Sequence, residues 1–299
     1  MGIEELVDSN RIILSKLFTG HIALNSFKRL DKQTSSEMYS IDYKDKSYIL
    51  RILNDEMPHD SKLCELESLK QADQLNIGPS ILYLSEESDF IIYENIKSYK
   101  KIDINRNLKT LINKIKLIHN NMKMTVKIDI FSVIDNLYFM GTSQGIIFND
   151  GIQEFLKLNS IIKKISYKLN IPTKACHNNL SSENILKCGR KIYLIDWESC
   201  GMGNPYYDLA YLSLVNNLDL LSKKKMLSLY FNEDNIKHFH FTYLMEVTSL
   251  FYQILIKKLI EVQFFKKDYR YLIKDQKILQ KYYEKINNPL FYQSINYFK

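Results

Sequence analysis

The stretch that most limits how this chain can fold runs ACHNNLSSENIL, Ala175 to Leu186, and continues as KCGRKIYLIDWE. An apolar lead-in gives way to a polar loop, and the loop enters a short apolar run. Gly189 supplies a reversal, and a second apolar run, Ile192 to Ile195, delivers Asp196 at its end. Two apolar runs of four residues around a glycine turn read as a β-hairpin. That hairpin brings Asn184, at the end of the loop, close to Asp196 at one mouth. An amide oxygen and a carboxylate are hard oxygen donors of the kind that hold Mg²⁺, which keeps several waters and is otherwise bound by phosphates. Taken alone, Asn184 reads better as part of an Asx-turn in a polar loop. The order and spacing of the whole stretch favour the metal pair.

Upstream the pattern is that of strands. FKRL, EMYSIDY and SYILRIL are separated by the polar loop DKQTSS and the turn KDK. In EMYSIDY, Tyr39, Ile41 and Tyr43 alternate with Met38, Ser40 and Asp42, the period of a half-buried strand. A helix is expected from about Ser61 to Leu75, stopped by Asn76, Gly78 and Pro79. Two further strands, ILYL and FIIY, make a five-strand set with one inserted helix. Beyond Asn95 the period becomes helical. Leu108, Leu111, Ile112, Ile115 and Ile118 form one stripe between Asn107 and Met122, and Ile152 to Leu169 is helical too. Residues 1–95 are thus read as a small β-rich domain and 96–299 as a larger helical one carrying the polar loop. A cleft between two such domains is a common place for a nucleotide.

The net charge of +7 is spread through every segment, interleaved with acids, and describes a solvated surface rather than a nucleic-acid footprint. Four cysteines, Cys64, Cys176, Cys188 and Cys200, show no metal-site spacing and read as free thiols of a reducing compartment. The opening MGIEELVDSN has acids where a secretory signal needs a basic and then an apolar run. The longest apolar segment, Tyr243 to Ile260, is interrupted by Glu246, Lys257 and Lys258 and reads as a buried helix, so no membrane insertion is expected. These features together imply a cytoplasmic protein.

The loop and its sequel resemble those of the choline/ethanolamine kinase and aminoglycoside phosphotransferase family, whose signature is H-x-D-x-x-x-x-N, then I-D-[WF]-E, then a small-residue turn and a D-L-A helix start. Here these read HNNLSSEN, IDWE and SCGMGNPYYDLA. The resemblance implies an α+β, two-lobed protein-kinase-like fold: a small five-stranded antiparallel N-terminal lobe with one helix, and a larger mainly helical C-terminal lobe. It implies ATP and Mg²⁺ as cofactors and a small-molecule hydroxyl as acceptor. Arg51 takes the place of the family's phosphate-contacting cation, and Glu67, one turn beyond Leu63, that of its carboxylate partner. Ser35 and Ser36 fall in the phosphate loop, and Tyr93 to Ile96 in the hinge. Asn184 and Asp196 take the metal positions, with Glu198 assisting. His177 orients the loop, and Asp208 braces it by accepting backbone hydrogen bonds. Tyr206, Tyr207 and Tyr252 supply aromatic surface for a quaternary ammonium.

Two departures stand out. Asn179 occupies the place of the catalytic acid. An amide accepts a hydrogen bond but takes no proton from a hydroxyl. General-base help is worth about 10²–10⁴ in rate, or roughly 3–5 kcal/mol of barrier. Glu183 would have to turn inward to replace it. The second departure is the phosphate loop, since no glycine lies between Gly20 and Gly78 to allow close backbone approach. The leading expectation is a phosphotransferase on a choline- or ethanolamine-like hydroxyl, slowed by Asn179. The other is a pseudokinase that binds nucleotide, metabolite or protein without turnover.

Overall fold

In the computed structural model the described residues are 3–18, 26–30, 36–53, 58–85, 89–97, 101–148, 151–264 and 272–299, with the side chains of 261–264 and 272–275 left aside. The chain divides into two compact units. The first holds residues 1–103, 121–126 and 182–200, and the second holds 104–120, 127–181 and 201–299.

The first unit begins with two short helices, α1 (Ile3–Ser9) and α2 (Arg11–Leu17). Strands β1 (Phe27–Arg29), β2 (Glu37–Tyr43) and β3 (Lys46–Ile52) follow, then helix α3 (His59–Gln74) and strands β4 (Ile81–Leu84) and β5 (Phe90–Glu94). They form the expected five-stranded antiparallel sheet, in the order β1-β2-β3-β5-β4. Pairs such as Tyr39 with Leu50, and Leu50 with Ile92, join adjacent strands. Leu6, Leu14 and Phe18 pack with Tyr39, Ile41, Leu50, Ile52 and Phe90. The alternation of β2 thus has an apolar cover, drawn from helices that its own period does not announce. The turn after α3 is tight enough to require glycine, because a Cβ on Gly78 would lie 2.9 Å from that of Ala72.

The hairpin of β7 (Ile185–Cys188) and β8 (Lys191–Leu194) belongs to this unit, although helical segments flank it in the chain. Gly189 turns it at φ +58°, with Arg190 not in the left-handed region, the sign pattern of a II′ turn. The N–H of Leu194 donates to the carbonyl of Ile77 at 2.7 Å, which ties β8 to the turn after α3.

The second unit contains α4 (Ile104–Asn121), α5 (Ile130–Ser143), α6 (Ile152–Leu169), β6 (Lys174–Cys176), β9 (Gly201–Gly203), α7 (Pro205–Val215), α8 (Leu220–Phe231), α9 (Ile236–Phe264), α10 (Leu272–Ile286) and α11 (Pro289–Tyr297). On α4 the buried stripe is Leu108, Leu111, Ile112, Ile115, Ile118 and His119. Helix α5 was not legible as a separate element. Its N-cap, Asp129, accepts from the N–H of Phe131 and Ser132, and also from the Tyr167 hydroxyl at 2.6 Å. Burial pushes the Asp129 carboxyl up, but these hydroxyl and N–H donors outweigh it and hold the pKa below its usual value. The core joins α5, α6, α7, α9, α10 and α11 around Phe155, Phe241, Phe251, Tyr282 and Phe291. Tyr243 to Ile260 lies within α9, largely buried, and among the described residues no helix is long and apolar enough to cross a membrane.

Candidate active site

In the first unit, strand β3 carries Arg51 into the interior, 4% exposed, where it forms an ion pair with the fully buried Glu65 of α3. The carboxylate partner is therefore Glu65, and the expectation of Glu67 is corrected. The inward stripe of α3 is Glu65, Ser68, Leu69 and Ala72, spaced i, i+3, i+4, i+7. Leu63, from which the phase was read, is only half-buried, so Glu67 is displaced from the stripe and is itself half-buried. Glu198 reaches the other side of the same guanidinium, at 3.8 Å.

Asp196 follows β8 with φ +70°, a left-handed conformation uncommon for a residue with a side chain and most often kept where a site requires it. Its Oδ2 accepts from the Asn184 Nδ2 at 3.2 Å, so the hairpin does bring these two residues together. Burial works against the Arg51 charge, but Glu65 above all, then Tyr93, Asp196 and Glu198, raise its pKa above the ordinary value. Burial also pushes the Glu65 carboxyl up, to about 7. Arg51 opposes this, while Glu198 and Asp196 add to it. Among the described residues, three carboxylates thus face one guanidinium, an arrangement that suits a divalent cation. With amide and carboxylate oxygens as donors, the residues present fit Mg²⁺.

Of the other residues expected in this unit, Ser36 is buried, Tyr93 and Ile96 are half-buried, and Ser35 lies outside the described residues together with most of DKQTSS. Asn95 closes the end of β5 on Ser47, donating from its backbone N–H and from its side chain.

The loop that follows β6 belongs to the second unit as far as Ser181. Asp208, fully buried near the start of α7, accepts from the backbone N–H of His177 at 2.8 Å and of Asn178 at 2.6 Å. Its Oδ2 also lies 3.0 Å from the Nε2 of His119, whose Nδ1 meets the Tyr230 hydroxyl at 2.6 Å. Cys176 lies beside this group, and burial and the Asp208 charge push its thiol well up. Asn178, at φ +62°, turns the chain just after the two N–H donors.

Asn179 is half-buried, and its Oδ1 accepts from the Tyr211 hydroxyl at 3.2 Å. Tyr211 was missed from the sequence, although it stands four residues after Tyr207 on the same helix face. The ring centroids of Tyr207 and Tyr211 are 6.2 Å apart. Tyr207 is buried, and its hydroxyl is pushed well up by burial and by Tyr252. Tyr206 does not join this group. Its hydroxyl meets the Nδ1 of His238 at 2.6 Å, and its ring packs on Phe231 and Phe241. Consecutive helical residues point about 100° apart, so Tyr206 and Tyr207 serve different faces. Glu183 is exposed.

Residues 158–221 match the phosphotransferase enzyme family. A protein called LicA homolog from Mycoplasma capricolum is 28% identical over 154 residues, 52% of this chain and 63% of that protein. The chain therefore aligns with less than two thirds of that relative's length. Among solved structures, the fold is similar to a choline/ethanolamine kinase family protein from Mesorhizobium loti, with TM-score 0.76, 16% identity, and 97% and 98% of the two chains covered. It is similar also to the choline kinase LicA from Streptococcus pneumoniae, with TM-score 0.69, 18% identity, and 93% and 99% covered. The match over the loop, the hairpin and α7, together with the shared fold, makes this chain similar to the choline/ethanolamine kinases and aminoglycoside phosphotransferases.

Proposed function

We propose that the chain is a Mg²⁺- and ATP-dependent phosphotransferase whose acceptor is the hydroxyl of a small amino alcohol of the choline or ethanolamine type. The observation that carries this reading is the cluster of Arg51, Glu65, Glu198, Asp196 and Asn184. It joins one cation suited to phosphate oxygens with hard-oxygen ligands suited to a divalent ion. A LicA of similar fold has been solved in complex with AMP, which supports a nucleotide as the ligand of this cluster.

In this reading Asn184 and Asp196 hold Mg²⁺, with Glu198 assisting through a water. The ion, when bound, neutralises charge on the transferring phosphoryl group. Arg51, kept in place by Glu65, contacts phosphate oxygens. Ser36 and the hinge of Tyr93 to Ile96 line the nucleotide. Asp208 and His177 fix the loop so that residue 179 has a set position. Asn179 orients the acceptor hydroxyl by hydrogen bonding and takes no proton. Tyr252, half-buried, offers an aromatic face to a quaternary ammonium, with the buried Tyr207 beside it. Tyr206, turned toward His238, has no part in it.

Asn179 also favours a second reading, a pseudokinase that binds Mg-nucleotide without turnover, because its amide is already engaged by Tyr211. The test is Mg-ATP binding by thermal shift, followed by phosphotransfer to choline, ethanolamine, thiamine and an aminoglycoside, for the chain and for Asn179→Asp. Measurable turnover raised about 10²–10⁴-fold by Asn179→Asp supports the enzyme. Binding with no turnover in either protein supports the second reading. No Mg-ATP shift overturns both.

A further inference from the structure

Within the first unit, two cysteines 136 residues apart in sequence stand against each other in the interior. Cys64 of α3 is 1% exposed and Cys200 is 4% exposed. Their Sγ atoms are 3.7 Å apart. Each thiol also lies near the other's backbone, Cys64 Sγ at 3.8 Å from the Cys200 carbonyl and Cys200 Sγ at 3.7 Å from that of Cys64. Ser68 Oγ sits 3.1 Å from Cys200 Sγ. Both cysteines are free thiols.

We propose that Cys64 and Cys200 form an oxidation site, a thiol pair that a small hydroperoxide converts into an intramolecular disulfide. A disulfide needs its sulfurs about 2.05 Å apart, so they must approach by about 1.7 Å, within reach of side-chain rotation and a slight movement of α3. The thiolate of Cys64 attacks the peroxide oxygen and becomes a sulfenic acid, with release of an alcohol or water. Cys200 then attacks the sulfenic sulfur, the S–S bond forms, and water leaves with the proton of the Cys200 thiol. The 3.7 Å separation serves either sulfur as first attacker, Cys200 as well as Cys64, and the Cys64 thiol is also pulled below its ordinary range. The hydrogen bond from Cys200 contributes most, and the Val126 and Thr125 donors help against the effect of burial.

Placement gives the bond its consequence. Cys64 immediately precedes Glu65, the buried partner of Arg51, and Cys200 lies two residues after Glu198, which faces the same guanidinium. The disulfide ties helix α3 to the turn beyond IDWE and fixes both carboxylates about Arg51. This inference stands apart from the phosphotransferase reading, because the bond requires neither nucleotide nor turnover.

The test treats the full native chain with hydrogen peroxide, blocks remaining thiols by alkylation, and maps the peptides without reduction. The expected result is loss of two of the four thiols in a monomeric chain. One cross-linked peptide pair should contain Cys64 and Cys200, revert with dithiothreitol, and persist in Cys188→Ser. It should vanish in Cys64→Ser and in Cys200→Ser. The native chain is its own primary readout, so a variant that folds poorly leaves the test intact. Cys64 and Cys200 both recovered as alkylated thiols, with oxidation confined to the exposed Cys188, overturns the proposal. So does a cross-link that forms only after denaturation.

Discussion

Two buried carboxylates, one in each unit, face opposite charge balances. Among the described residues, Glu65 in the first unit faces one cation, Arg51, which Glu198 and Asp196 also face, and burial first, with those two carboxylates adding, pushes its carboxyl up. Glu246 of α9, 1% exposed, is held by Lys223 of α8 at 2.6 Å, by Lys285 of α10 and by the Ser213 hydroxyl of α7. Burial would raise the Glu246 carboxyl as well, but Lys285 and Lys223 outweigh it and hold it down. Lys285 yields instead. It is pushed below its ordinary value by burial first, and its neighbour Lys223 adds to this while Glu246 offsets part. Among the described residues, the first cluster sets three carboxylates about one guanidinium, an arrangement that suits a cation. The other joins four helices and is complete. A buried ion pair is weak evidence of function by itself, and the count of charges around it is what separates the two.

The largest expected effect lies in the first cluster. Asp196→Asn should lower phosphotransfer at least about 10²-fold, since even outer-shell partners of a metal are worth 10–100-fold. Glu246→Gln should leave nucleotide affinity unchanged, measured by Mg-ATP titration. Loss of Mg-ATP binding in Glu246→Gln, at a temperature where it stays folded, would break the contrast.

Stability should separate the clusters next. Glu246→Ala leaves two lysines without their carboxylate and should cost about 3–5 kcal/mol, read from urea unfolding. The pH dependence follows with a definite sign. A carboxyl held down in the folded state stabilises above its unfolded range and loses that contribution as pH falls through the folded value. The stability of the parent should therefore drop toward that of Glu246→Gln as pH falls below the ordinary glutamate pKa of about 4.3. A gap that widens on acidification would contradict the charge count.

The smallest effect serves as a control outside both clusters. Asp129→Ala removes the N-cap of α5 and should cost about 1 kcal/mol, with no change in Mg-ATP binding.

The strands of the first unit were legible because most are short apolar runs bounded by polar turns. Strand β2 keeps only part of its alternation, while β3 and β5 bury consecutive residues, Ile49 to Ile52 and Phe90 to Ile92. Helix α6 was legible to the residue, since Gly151 precedes its apolar stripe and Asn170 ends it in the left-handed conformation. Helices α1 and α2 were not, because seven residues hold too few turns to display a period. The choice between Glu65 and Glu67 was misread because α3 mixes polar and apolar residues on its inward face. Its phase is then fixed by Arg51, which needs a buried counter-charge, and not by the helix's own apolar residues.

The sequence by itself determined the loop and hairpin, the pairing of Asn184 with Asp196, and the replacement of an acid by Asn179. Those depend on local order and on the φ values that Gly189 and Asn residues permit. Only the tertiary structure decided which acid meets Arg51, that Tyr206 and Tyr207 part company, that Tyr211 engages Asn179, and that Cys64 and Cys200 touch. Each of those depends on the rotation of a helix about its axis against residues distant in the chain. That rotation is set by the packing of the whole interior, to which a short stretch of sequence contributes only one face.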